Sequence, residues 1–130
     1  MSALPSVLAA HLLRLGVWSA VCLVVGIVGI STVKDANWRA FFMMTAGWAA
    51  VNGIIALASR TGAPPKAIAP FREFLWLNMG LNVAYIAVGI TMALLAGDRG
   101  QVRFTGGAVA IQGLGLLVLD GILLRLAPSA

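Results

Sequence analysis

Four runs of about twenty apolar residues, joined by connectors too short to fold by themselves, constrain this chain more than any other feature in it. A hydrocarbon core about 30 Å thick is crossed by about 20 helical residues at about 1.5 Å each. The runs at 15–33, 40–58, 74–96 and 104–124 meet that length. Lipid cannot hydrogen-bond a bare backbone, so such runs must be helical. The expected fold is an all-α membrane protein: four transmembrane helices in one bundle, forming a single domain over residues 1–130. An even number of crossings puts both termini on one side.

Composition excludes the main alternative. The chain is 61% hydrophobic and 10% charged, whereas soluble domains are about 45–50% apolar and about 25% charged. Its net charge of +5 comes from Lys and Arg at the ends of the apolar runs and in the connectors. Without a basic run or interleaved aromatics, nucleic acid is not an expected partner. These charges read as interface anchors and contacts to the lipid bilayer. Arg14, Arg60, Lys66, Arg72 and Arg125 flank the termini side, while Lys34, Arg39, Arg99 and Arg103 flank the other. Five against four leans towards cytoplasmic termini and leaves dual topology open.

Local signals divide the runs. Met1 to His11 reads as a short leader, with a helix starting at Pro5-Ser6 and entering the membrane after Arg14. The first run is longer than the apolar core of a cleavable signal peptide. Asn37 is placed as the N-cap of the second helix. Pro64-Pro65 breaks the chain and Pro70 suits the first turn of the third helix. Gly97 ends that helix, and Pro128 closes the last one.

The halves of the chain also align with each other. Gly26-Ile27 matches Gly89-Ile90, and Asn52-Gly53-Ile54-Ile55 matches Asp120-Gly121-Ile122-Leu123. A tandem two-helix repeat would relate the halves by a pseudo-two-fold axis along the membrane normal. Asn52 and Asp120 would then face each other near the axis.

Polar residues inside the runs fall on single helical faces. Asn78, Asn82, Tyr85 and Gly89 lie within about 60° of arc. Thr45, Trp48, Asn52 and Ser59 share a face of the second helix; His11, Trp18, Cys22 and Gly29 share one on the first. Gln112 and Asp120 flank Leu116 on the fourth. Such stripes should turn inward. Counted from the termini side, Asn52, Asn78 and Asp120 lie roughly 10 Å deep, and Tyr85 and Gln112 roughly 20 Å. The expected site is a lower cluster of Asp120, Asn52, Asn78 and Asn82 walled by Trp18, with a Tyr85–Gln112 hydrogen bond above it. Arg14 is the cation expected to reach Asp120, and His11 is placed nearer the membrane surface.

Buried amides and Tyr85 read first as links between helices, at about 0.6 kcal/mol each. Asp120 reads as functional, because a carboxylate at membrane depth costs at least a few kcal/mol unless answered. Catalytic chemistry is not expected. The single His and single Cys form no metal or haem ligand set, so neither metal nor cofactor is predicted. A nucleophile beside a base, a second intramembrane acid and a phosphate-binding loop are all missing from the sequence.

Leu81-Asn82, Tyr85 and Gly89, then Gln112-Gly113, Leu116-Leu117 and Asp120, with Gly47-Trp48 and Asn52, resemble a family of short bacterial four-helix membrane proteins of unknown function. The resemblance implies the fold, the polar site and a bacterial inner membrane, but no reaction. This chain departs from the pattern at Asn82, where an acidic residue is expected.

The leading functional expectation is a non-enzymatic bundle that binds a hydrophobic ligand or lipid, or partner subunits, around the Asp/Asn cluster. The alternative is a small proton- or ion-coupled transporter or channel using Asp120, as a dual-topology homodimer. An enzyme acting on a lipid ranks third.

Overall fold

The computed structural model describes residues 3–129, so Met1 and Ser2 of the expected leader, like Ala130, lie outside the described residues. Four helices carry the chain: α1 (Leu4–Thr32), α2 (Ala36–Arg60), α3 (Ile68–Leu95) and α4 (Gly100–Leu126). Each is long and apolar enough to cross a membrane. The helices run past the expected spans, chiefly at the N-terminal ends of α1 and α3.

Local chemistry sets the ends. α1 opens with Pro5 in its first turn, where the missing N–H costs nothing. The N-cap of α2 is Asp35, not Asn37: its carboxylate accepts from the backbone N–H groups of Asn37 and Trp38. An aspartate one residue before the helix reaches those orphan donors, whereas Asn37 is already inside the first turn. Gly97, at φ 61°, adopts the left-handed conformation that stops α3. Four arginines close C-terminal ends, Arg99 through the Ala96 carbonyl at the cap of α3. Arg39 donates to the Ile30 and Val33 carbonyls of α1, and Arg103 to those of Ala93 and Gly97 at the end of α3. Arg72 does the same for α4 at Leu124, Ala127 and Pro128. A cation there meets both unsatisfied carbonyls and the negative end of the helix dipole.

Packing is unequal. α1 pairs with α2 and α3 with α4; α2 on α4 joins the two pairs, with a smaller α1–α4 contact. The α3 backbone approaches neither α1 nor α2. α4 is therefore the central helix, 39% buried over its most apolar window against 11% for α3. The α3–α4 seam is close enough to need glycine. A Cβ on Gly89 would stand 2.5 Å from the Ala110 nitrogen and the Gly106 oxygen. Below it, at the termini end, Leu75, Leu123, Leu124 and Ala127 form an apolar plug with Val7, Leu8 and Phe71 packed on it. The outer faces are apolar throughout, with Leu13, Val21, Val24, Ile54, Leu77 and Leu94 among the exposed residues. Lipid contact makes that exposure inexpensive.

Candidate functional site

Asp120 lies where α1, α3 and α4 converge. From α3, Asn82 Nδ2 donates to Asp120 Oδ2 at 2.7 Å. From α1, His11 Nε2 stands 3.7 Å from Asp120 Oδ1, close enough for charge attraction and too far for a hydrogen bond. Asn82 and His11 are 3% and 7% exposed, and the Asp120 side chain 15%. The costly carboxyl is thus answered from two neighbouring helices at once.

His11 corrects two expectations. It is buried rather than on the surface, and it stands beside Asp120 where Arg14 was expected. The reason is that the first turns of α1, which begin where expected, pack into the bundle instead of standing outside it. Leu4, Val7 and Leu8 pack against the ends of α3 and α4, which draws His11 to the level of Asp120. Arg14, one turn on, is half-buried, and its Nη1 has no acceptor among the described residues. Its helical face, shared with the buried Cys22 and Gly29, already pointed it inward; its level in the bundle was what the sequence misplaced.

A second polar layer lies further in. Trp18 Nε1 donates to Gln112 Oε1 at 3.2 Å, and Gln112 Nε2 reaches Cys22 Sγ at 3.4 Å. Gln112 is 1% exposed. Trp18 packs so closely on Gly115 that a Cβ there would overlap its indole ring. The expected Tyr85–Gln112 hydrogen bond does not form. α3 meets α4 along Asn82, Ile86 and Gly89, which turns Tyr85 sideways. Its ring packs edge-on against Trp48 of α2, centroids 5.0 Å apart. Trp18 therefore belongs to the Gln112 layer rather than walling the Asp120 cluster.

Asn52 and Asn78 do not join Asp120. The neighbour of Asn52, Gly53, faces Ser19, with its Cβ position 3.8 Å from the Ser19 Cβ. Ser19 is eight residues beyond His11 on α1, about 12 Å along the helix. Asn52 is thus deeper than Asp120 and does not face it. It is 4% exposed, and its Nδ2 lacks an acceptor among the described residues. Asn78 is half-buried on the flank of α3, outside the hydrogen bonds of Asp120. No group of three or more metal-ligating side chains occurs among the described residues.

Four long apolar helices around an interior of hydrogen-bonded Asp, Asn, Gln and Trp define a small multi-pass membrane protein of the four-helix type. The chain belongs to the family of unknown function DUF6992, whose model matches residues 14–121. That stretch includes Asn82, Gln112 and Asp120 and begins just after His11. No curated protein and no solved structure matches the chain.

Proposed function

We propose that this protein is a non-enzymatic membrane bundle that binds a hydrophobic ligand or lipid, or partner membrane subunits, through its polar interior. The observation that carries the reading is a pair of buried donors with no acceptor among the described residues, Arg14 Nη1 and Asn52 Nδ2. Each such group costs about 1–3 kcal/mol while unpaired. An acceptor on a ligand, or on a partner helix, would recover that energy. The setting is a bacterial inner membrane with the termini in the cytoplasm. Native mass spectrometry of protein extracted gently from its own membrane tests the proposal. A retained small molecule or second polypeptide, lost in the Asn52→Leu variant, is the expected result. A bare protein that instead moves a solute across liposomes would overturn it.

The second reading, a proton- or ion-coupled transporter working as a dual-topology homodimer, draws on the His11–Asp120 pair. Two titratable groups 3.7 Å apart at membrane depth need only a small closing movement to share a proton. Against it, the polar layers stop at the Leu75–Leu123–Leu124 plug below and at the glycine seam above. Reporter fusions to the C-terminus decide the topology, since one fixed orientation removes the dual-topology version.

A further inference from the structure

On the side away from the termini, a groove of about 600 Å³ lies between α2 and α4, within the size range of small-molecule sites. Its wall is Ala40, Met43, Met44 and Gly47, apolar and flexible, with Thr105 of α4 opposite. Its mouth is basic and polar, with Lys34 from the α1–α2 connector, Arg39, and Gln101 at the start of α4. Arg39 is fixed there because its Nη1 is held by the end of α1. The neighbouring acid, Asp35, is turned to the N-terminus of α2 instead. From Ala36 to Gly47 the groove descends about 16 Å, roughly half of a hydrocarbon core about 30 Å thick. A second groove, on the α1–α2 seam, is lined by valines, Gly29, Thr32 and Phe42, without a charged residue.

The geometry points to a site for one anionic phospholipid, its acyl chain along the Met43–Gly47 wall and its phosphate beside Lys34 and Arg39. The depth fits a chain confined to one leaflet, and the charges fit an anionic headgroup at the interface. The uncharged groove takes only bulk lipid. This site is apart from the Asp120 cluster, so either proposal can fail without the other.

The test uses the full chain in nanodiscs of equal phosphatidylglycerol and phosphatidylcholine, followed by detergent release and native mass spectrometry. Phosphatidylglycerol is expected to be retained over phosphatidylcholine. Lys34→Gln should lower that preference about fivefold, the share of one interfacial charge. Gly47→Trp should fill the groove and abolish retention, and nothing in the fold lies within 4 Å of the position a Cβ would take there. Gly80→Trp, equally free of neighbours but on α3, should leave retention unchanged. Asp120→Asn should also leave it unchanged. Circular dichroism of each variant checks that it remains folded. Retention that ignores Gly47→Trp, or a lipid held without headgroup preference, would overturn the assignment. So would a homodimer that Gly47→Trp dissociates, which would make the groove a contact between two copies.

Discussion

Replacing Asp120 separates a carboxyl that holds three helices together from one that is merely tolerated. Asp120→Asn keeps an oxygen for Asn82 Nδ2, at present 2.7 Å from Oδ2. It removes only the charge-assisted part of that bond, a loss below about 1 kcal/mol. Asp120→Leu removes the acceptor altogether, leaving a 3%-exposed amide donor unsatisfied and His11 without its polar neighbour. An unsatisfied buried donor costs about 1–3 kcal/mol, and the apolar plug beside the site offers Asn82 no substitute. Helix-to-helix hydrogen bonds in bilayers reach at most about 1.7 kcal/mol in double-mutant cycles. The coupling between positions 82 and 120 should therefore fall near 1–2 kcal/mol. The measurement is unfolding by SDS in mixed micelles, followed by tryptophan fluorescence, for Asp120→Asn, Asp120→Leu, Asn82→Leu and the double leucine variant. The double variant strands neither partner of the pair and should lose less than the two single changes together. Additivity within about 0.3 kcal/mol, or equal stability of Asp120→Asn and Asp120→Leu, would refute the reasoning.

Gly89→Ala should destabilise the α3–α4 seam by about 1–3 kcal/mol, because its new methyl meets the backbone of Ala110 and Gly106. Gly80→Ala, in open space on the same helix, should change stability by less than about 0.5 kcal/mol in the same titration. Gly115→Ala pushes on the Trp18 ring and should break the indole bond to Gln112, seen as a shifted and weakened Trp18 emission in a chain whose other tryptophans are replaced. Arg72→Met leaves the carbonyls of Leu124 and Ala127 without their cation. It should cost about 1 kcal/mol and speed amide exchange in the last turn of α4.

The sequence alone determined the class and the four helices, because spanning a bilayer leaves a backbone few options. Apolar length, prolines and helix-ending residues are local properties, read directly at Pro5, Pro64-Pro65, Gly97 and Pro128. Helical faces were legible too. His11, Cys22, Thr45, Asn52, Asn82 and Gln112 are buried, whereas Ser59 of the α2 stripe is exposed and Trp18, Trp48, Asn78 and Tyr85 are half-buried. Face placed Asn82 in the cluster with Asp120, but depth put Asn78 level with Asp120 and Asn82 a turn deeper, and it is Asn82 that makes the bond. Which stripes meet was not legible, because it depends on how the helices cross and slide, and each residue of sliding moves a side chain about 1.5 Å along the axis. Depth counted from the ends of apolar runs left the first turns of α1 outside the bundle, although they pack into it and bring His11 to Asp120. It also gave Asn52 and Asp120 one level although α1 shows them apart. Helix rotation about the α3–α4 seam sent Tyr85 to Trp48 and left Gln112 to Trp18 and Cys22. Only the tertiary structure decides these pairings, since they minimise unpaired polar groups over the whole bundle rather than along any one helix.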